Sequence, residues 1–178
     1  MQAILDAIED GTLDARIGLV LSDNPSAYIL RRAEKHGIPT GIIDCGEFKT
    51  KFPDEIQAAT ALRLKEAGVQ LVCLAGFLRL VKRPLLDAFP DRILNIHPSL
   101  LPKYPGLESW KQALDAGEKE AGCTVHFVDE GMDTGPVILQ ESVPILSDDT
   151  AEVLHARIQV LEHRLYPAAI RKVGRAVL

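Results

Sequence analysis

Apolar runs and amphipathic stretches alternate along the first half of the chain. Residues 1–10 place Ile4, Leu5 and Ile8 on one helical face and end at Gly11, which predicts a short helix. Farther on, the pattern predicts strands at residues 16–21, 38–43, 69–74 and 92–97, and helices that begin at Pro25, Pro53 and Pro84. Strands that alternate with helices are typical of the α/β class, here a doubly wound, mainly parallel sheet with helices on both faces.

The pattern changes after residue 116. A helical stretch at residues 108–116 is followed by two strand-like runs, 123–128 and 137–144. The residues between these runs are too few for a crossover helix, so the two strands are expected to be antiparallel or splayed neighbours. The sequence therefore predicts an antiparallel edge in the carboxyl-terminal part of the sheet.

Capping residues and prolines mark where helices begin and end. Asp23 or Asn24 is expected to cap the helix entered through Pro25, and Asp149 to cap a final helix that runs to the end of the chain. Pro167 lies inside that final helix and predicts a kink or a break there.

Composition limits the classes of protein to which the chain can belong. A chain of 178 residues with 47% hydrophobic residues predicts a single domain, residues 1–178. The net charge of -5 disfavours nucleic acid as a partner. Its three scattered cysteines suggest neither a disulfide framework nor a zinc site. With no apolar run long enough for a membrane span and an acidic amino terminus, we expect a cytoplasmic protein with no membrane partner.

The run NIHPSLLPKYPG, residues 95–106, carries the strongest chemical signal. Asn95 and His97 lie two apart on the predicted strand and should project to the same side. Pro98 cannot continue a sheet ladder, so the strand should end at His97. An imidazole and a carboxamide at a strand end are suited to acyl transfer. The alternative is that the two side chains only satisfy each other or the loop backbone.

The same run resembles the signature of the folate-dependent formyltransferases. Its ending, KYPG, is similar to that of the branch that formylates glycinamide ribonucleotide in purine synthesis. The resemblance covers nearly the whole chain and implies a Rossmann-like formyltransferase fold with 10-formyltetrahydrofolate as co-substrate. The family's first strand and Gly-rich phosphate-binding loop have no counterpart here, so we expect a domain truncated at the amino terminus relative to the family.

The resemblance also supplies a third catalytic residue. The run MDTGPV, residues 132–137, is similar to the family's segment with its essential aspartate, which implies Asn95, His97 and Asp133 as the catalytic set. Without the resemblance, Asp133 would be interpreted as a turn residue. His126 is implied as a supporting residue near the site, the alternative being a hydrogen-bonded structural histidine. His97, His126 and Asp133 lack the spacing of common zinc motifs, so no metal is expected.

Binding residues follow from the resemblance as well. The residues implied for folate binding are Leu74, Phe77, Leu78, Arg79, Leu80, Val81, Leu94, Val128 and Asp129. Gln159 and Glu162 lie three apart on the final helix and are implied in nucleotide binding, Gln159 toward phosphate and Glu162 toward ribose. Taken alone, this pair would be interpreted as part of a solvated helix face.

The expected reaction is transfer of a formyl group to the primary amine of glycinamide ribonucleotide. No Ser or Cys lies in a nucleophile elbow, so direct attack by the amine is favoured over a covalent enzyme intermediate. Three alternatives stay open: a formyltetrahydrofolate hydrolase, a formyltransferase acting on initiator methionyl-tRNA or an amino sugar, and a non-catalytic folate-binding remnant. The expected partners are the two small-molecule substrates, and a homodimer is left open.

Overall fold

A computed structural model describes residues 1–48 and 50–177. The chain forms two compact units, an amino-terminal unit of residues 1–93 and a carboxyl-terminal unit of residues 94–178. None of the helices within the described ranges combines the length and the apolar character needed to cross a bilayer.

The amino-terminal unit alternates helices with short strands. Its elements, in chain order, are α1 (Gln2–Glu9), β1 (Val20–Ser22), α2 (Tyr28–Lys35), β2 (Thr40–Ile42), α3 (Asp54–Glu66), β3 (Val72–Leu74) and α4 (Arg83–Leu86). β1 and β2 are parallel, as predicted, with Val20 opposite Thr40. The strands are shorter than the apolar runs. The β1–β2 ladder begins at Thr40, because the preceding residue, Pro39, has no N–H to donate. Pro39 contributes only its carbonyl, which accepts the N–H of Val20.

The predicted cap of α2 is wrong. The helix begins after Ala27, which makes no side-chain capping bond. Asn24 forms a local turn instead, accepting the N–H of Ser26 on Oδ1 at 2.9 Å. Asp23 pairs with Arg79 Nε at 2.6 Å. Both candidate caps are therefore used by other partners.

The carboxyl-terminal unit is built on an antiparallel arrangement. Its elements are β4 (Ile93–His97), which starts at the unit boundary, α5 (Ser109–Asp115), β5 (Glu120–Phe127), β6 (Val137–Pro144) and α6 (Ala151–Val177). β5 pairs antiparallel with both β4 and β6. The predicted bounds of β6 and the antiparallel carboxyl-terminal part are confirmed, as is the α/β class.

The long helix α6 covers β5 and β6 and also contacts α5. Leu154 and Ile158 on α6 and Val125 on β5 are completely buried. Each such side chain contributes about 1.5–3 kcal/mol of transfer free energy. Tyr166 Oη donates a hydrogen bond to Leu94 O at 3.1 Å, which ties α6 to β4. β4 and β5 are thus held rigidly, and they carry the polar residues described below.

Two predictions about α6 are wrong, a break at Pro167 and a cap at Asp149. The helix is continuous through Pro167, because the packing of buried neighbours such as Tyr166 offsets the loss of one backbone hydrogen bond. A kink at Pro167 stays a prediction. Its cap is Thr150, whose Oγ1 accepts Val153 N–H at 3.3 Å. Asp149 instead forms a bidentate ion pair with Arg157, with both N–O distances at 2.6 Å.

Candidate active site

One face of the β4–β5 pair carries a row of polar side chains. Asn95 lies opposite His126, and His97 lies opposite Thr124. Residues two apart on a strand, and residues directly opposite each other on antiparallel strands, share a face. The predicted common face for Asn95 and His97 is therefore confirmed by the register.

Asp133 reaches this face from the loop between β5 and β6. Its φ of +56° is left-handed, a conformation that Asp tolerates better than most residues. Asp129 shapes the loop by accepting Gly131 N–H at 3.0 Å and the Thr134 hydroxyl at 2.7 Å. The loop is therefore a folded turn that holds the Asp133 carboxylate against the strands, with 13% of its side chain exposed.

The Asp133 carboxylate contacts four groups. Oδ1 lies 3.4 Å from Asn95 Nδ2 and 3.6 Å from His126 Nε2. Oδ2 lies 3.4 Å from His97 Nδ1 and accepts Gly106 N–H at 2.9 Å. The structure thus brings together the three residues predicted as catalytic and the one predicted as supporting.

Backbone carbonyls define which histidine nitrogens carry protons. His97 Nε2 lies 2.9 Å from Tyr104 O, and His126 Nδ1 lies 2.8 Å from Phe127 O. A carbonyl oxygen only accepts, so both nitrogens must be N–H donors. A proton on His97 Nδ1 points toward Asp133 Oδ2 at 3.4 Å. His126 Nε2 accepts from Asn95 Nδ2 at 3.3 Å when it carries no proton, and donates toward Asp133 Oδ1 at 3.6 Å when it carries one.

The charge state of Asp133 is set by opposing effects. Burial raises the pKa of Asp133. Hydrogen bonds from His126 and from Gly106 N–H lower it, and so do the positive charges of His97 and His126. The lowering effects outweigh burial, so the pKa of Asp133 lies below its ordinary value of 3.8. Asp133 is therefore an anion at neutral pH.

A second hydrogen-bond cluster supports the loop that follows β4. Thr124 is fully buried, and its hydroxyl donates to Ser99 O at 2.7 Å while accepting from Leu101 N–H and Gln140 Nε2. Gln140 also donates to Leu101 O at 2.9 Å. These contacts fix the backbone immediately after His97.

Sequence reasoning missed two groups of the site, the carbonyl of Tyr104 and the N–H of Gly106. Both are backbone atoms, which no residue type reveals. The available signal was the proline-rich character of residues 98–105, which predicted a stiff loop beside His97. The interpretation of Asn95 and His97 as merely satisfied polar residues is right in one respect, because His97 does bind this loop backbone.

The residues implied in folate binding lie in both units. Leu74, Phe77, Leu78, Arg79, Leu80 and Val81 belong to the amino-terminal unit, and Leu94, Val128 and Asp129 belong to the carboxyl-terminal unit. Leu78 and Leu80 are exposed, whereas Val81 and Leu94 are buried. The guanidinium of Arg79 binds Asp23 and the backbone carbonyls of Phe48 and Lys51. The assignment of these residues to folate stays a prediction.

Gln159 and Glu162 lie on α6, as expected, but their environments differ. Gln159 is exposed, and Glu162 is half-buried. Burial raises the pKa of Glu162 to about 7. A carboxyl group with this pKa is protonated for part of the time at neutral pH, so it donates as well as accepts hydrogen bonds. Within residues 1–48 and 50–177, no group of three or more His, Cys, Asp or Glu side chains is arranged to hold a metal ion.

Comparison with known proteins identifies the family of the chain. A family described as formyl transferase matches residues 1–170. Phosphoribosylglycinamide formyltransferase of Bacillus subtilis is 42% identical over 172 residues, which cover 97% of this chain and 87% of that protein. The trifunctional purine biosynthetic protein adenosine-3 of Drosophila melanogaster is 48% identical over 172 residues, 96% of this chain, but the chain spans only 13% of its length.

Solved structures agree with these matches. The crystal structure of glycinamide ribonucleotide transformylase 1 from Symbiobacterium toebii superposes with a TM-score of 0.90 at 53% identity, covering 96% of this chain and 79% of that one. Phosphoribosylglycinamide formyltransferase from Bacillus halodurans gives the same TM-score of 0.90 at 43% identity, with 97% and 88% covered. The predicted formyltransferase fold is confirmed, and the chain belongs to the formyl transferase family.

Proposed function

We propose that this chain transfers the formyl group of 10-formyltetrahydrofolate to the primary amine of glycinamide ribonucleotide, a step of purine biosynthesis. The observation that carries the proposal is the convergence of Asn95, His97 and Asp133, with the first two each 3.4 Å from the carboxylate of the third. The names of the relatives from Bacillus subtilis and Symbiobacterium toebii support this choice of acceptor.

The reaction needs stabilisation of a negative oxygen. As the amine attacks, a bond forms between its nitrogen and the formyl carbon, and the carbonyl electrons move onto the formyl oxygen. Asn95 Nδ2 and protonated His97 Nδ1 both point toward Asp133 at 3.4 Å, beyond the usual range of strong hydrogen bonds. An oxyanion lying between the two nitrogens would accept from both donors at shorter distances than these 3.4 Å contacts.

Asp133 maintains the charge balance and moves a proton. Gly106 N–H holds its Oδ2 at 2.9 Å, which keeps the carboxylate beside His97. We assign to Asp133 the orientation of His97 and, through water, transfer of the proton from the attacking amine to the folate nitrogen that leaves. Because its pKa is low, Asp133 holds that proton only briefly. The carbon–nitrogen bond to the folate then breaks, and the formylated nucleotide is released.

Direct attack by the amine is consistent with the hydrogen bonds that two nearby serine hydroxyls make. Ser99 donates to Lys103 O at 2.7 Å, and Ser109 donates to Pro98 O at 2.9 Å. Both hydroxyls support the loop backbone, and neither is paired with a general base as a covalent nucleophile requires.

The substrates are assigned to the residues that the family resemblance implies. Gln159 and Glu162 would bind the phosphate and the ribose of the nucleotide. The residues that would bind the folate are Leu74, Phe77, Leu78, Arg79, Leu80, Val81, Leu94, Val128 and Asp129. The pKa of Glu162, about 7, suits a group that exchanges hydrogen bonds with ribose hydroxyls, which donate and accept.

The test is to incubate the purified chain with 10-formyltetrahydrofolate and glycinamide ribonucleotide. The proposal predicts equal amounts of tetrahydrofolate, measured by absorbance, and formylated nucleotide, measured by mass spectrometry. Formate release without formylated nucleotide would instead identify a hydrolase. Folate binding without turnover would identify a non-catalytic protein. Formylation of methionyl-tRNA or of an amino sugar in preference to the nucleotide would also overturn the proposal.

A further inference from the structure

One four-residue segment, residues 103–106, binds two groups of the site at once. Tyr104 O accepts His97 Nε2–H at 2.9 Å, and Gly106 N–H donates to Asp133 Oδ2 at 2.9 Å. His97 Nδ1 and Asp133 Oδ2 complete the ring at 3.4 Å. The position of this backbone segment therefore decides which nitrogen of His97 carries a proton and which faces the carboxylate.

The backbone conformation of Tyr104 is a costly one, and its side chain has a partner outside the loop. Its φ of +55° is left-handed, a region that costs free energy for a residue with a bulky side chain. Its phenol hydroxyl donates to Glu118 Oε1 at 2.9 Å, and Lys103 Nζ donates to the same oxygen at 2.8 Å. Glu118 is in turn fixed at the end of α5, where its N–H donates to Ala113 O at 3.1 Å.

We propose that Tyr104 and Glu118 are positioning residues: the hydrogen bond between the phenol and the Glu118 carboxylate holds the Tyr104 carbonyl against His97 Nε2–H, so that Nδ1 faces Asp133. Neither side chain touches the reacting atoms in this proposal. The inference deepens the proposed function, on which its catalytic consequence rests, but its effect on His97 is independent of any reaction.

The experiment compares Tyr104→Phe with the parent chain. Phe keeps the ring and loses only the hydroxyl that binds Glu118. With the protein labelled at the histidine nitrogens, two-dimensional ¹⁵N NMR reports which nitrogen of His97 carries the proton, and a His97→Asn variant identifies its signals among those of the five histidines. We expect the neutral imidazole of His97 to be the Nε2–H tautomer in the parent and a mixture of the Nε2–H and Nδ1–H tautomers in Tyr104→Phe.

Steady-state kinetics supply the second readout. We expect kcat of Tyr104→Phe to fall about tenfold, with the KM for each substrate changed less than about twofold, because a positioning defect acts on the barrier rather than on binding. Glu118→Ala should behave like Tyr104→Phe. Glu118→Gln keeps an oxygen that accepts from the phenol and should restore kcat to within about threefold of the parent. Tyr28→Phe, which removes an exposed phenol hydroxyl elsewhere, is the matched control.

The outcomes separate this inference from the proposed function. Unchanged His97 signals in Tyr104→Phe would overturn the inference whether or not the chain is an active transferase. Altered His97 signals in Tyr104→Phe, together with a parent chain that does not formylate the nucleotide, would overturn the proposed function and leave the positioning role standing. Equal losses of kcat in Glu118→Gln and Glu118→Ala would also contradict the inference, because the proposed role needs an acceptor oxygen and not the residue's charge.

Discussion

Asn95 Nδ2 lies 3.4 Å from Asp133 Oδ1 although 38 positions separate the two residues. The amide also faces His126 Nε2 at 3.3 Å, so both of its N–H groups have acceptors. Because a carboxylate can only accept, the amide nitrogen and not its oxygen must face Asp133. The donor end of the Asn95 amide therefore faces Asp133, and the proposed reaction assigns this N–H group to the oxyanion.

Asn95→Ala tests that donor. Loss of one oxyanion donor typically lowers kcat by about 10²–10³, and we expect a loss of this size with the KM values of both substrates close to the parent's. Gln2→Ala removes a carboxamide whose hydrogen bond is to Asp6 on a helix surface, and its kcat should equal the parent's. Parental kcat in Asn95→Ala would refute the assignment of the amide to the oxyanion.

Asp133→Asn tests the carboxylate without disturbing the backbone. Asn tolerates the left-handed φ of +56° as well as Asp does, whereas Ala would add strain. We expect kcat to fall by about 10² or more, since the His97 imidazolium loses its counter-charge. His97→Ala should lower kcat at least as much. The effects of His97→Ala and Asp133→Asn should not add in the double variant, because the two residues act on one proton and one oxyanion.

The stability of the parent should depend on pH through the same carboxylate. The folded pKa of Asp133 is depressed below 3.8, so its contribution to the free energy of unfolding is complete at pH values above 3.8 and is lost as the pH falls through the folded pKa. Urea unfolding of the parent and of Asp133→Asn should therefore show a stability difference at pH 7 that shrinks below pH 3.8. A difference that stays constant down to pH 3 would contradict the depressed pKa.

Some features of the site follow from the sequence by local rules. The alternation of side chains along residues 93–97 is enough to place Asn95 and His97 on one face, and the β6 prediction matches the observed bounds because turn residues delimit it on both sides. Asp133, by contrast, looked like a turn residue until the family resemblance was considered. Its approach to His97 depends on the path of a loop, which no local rule supplies.

Other features depend on contacts distant in sequence. Asp149 and Thr150 are both good capping residues, and the choice between them is settled by Arg157, which takes the Asp149 carboxylate. Pro167 has no N–H for the helical hydrogen bond, which by itself predicts an interruption. The burial of neighbouring α6 residues nevertheless keeps the helix continuous. The proton positions on His97 and His126 depend on two backbone carbonyls. Each of these results from tertiary packing.

Glu162→Gln should stabilise the protein at alkaline pH. The pKa of Glu162 is raised by burial from an ordinary 4.5 to about 7, so the folded state binds a proton more tightly and the parent loses stability as the pH rises from 4.5 through 7. A neutral Gln avoids this cost. We expect Glu162→Gln to exceed the parent by roughly 1–3 kcal/mol at pH 8, with a gain that diminishes toward pH 5.

Exposed Glu66→Gln is the control for loss of a carboxylate, and chemical denaturation at pH 5, 6, 7 and 8 is the measurement. A gain in Glu162→Gln that is equal at all four pH values would show that the residue does not titrate in this window.

Gly135 joins the Asp133 loop to β6 at a point of close backbone contact. A Cβ placed on this residue would lie 1.9 Å from Phe127 O and 2.8 Å from Phe127 C. Backbone atoms of β5 cannot move aside as a flexible side chain can, so Gly135→Ala must push the loop outward. We expect the free energy of unfolding to fall by about 2 kcal/mol or more, and kcat to fall as well because Asp133 lies two residues away.

Gly174→Ala is the matched substitution in which the same methyl group finds room. Gly174 lies inside α6, and a Cβ there meets nothing within 4 Å. Alanine is the better helix former by about 0.5–1 kcal/mol, so this variant should be more stable than the parent with unchanged kcat. Thermal unfolding followed by circular dichroism measures both variants. If Gly135→Ala matched the parent in stability and kcat, the loop could not lie as close to β5 as the structure has it, and Asp133 would not be held beside His97 by this contact.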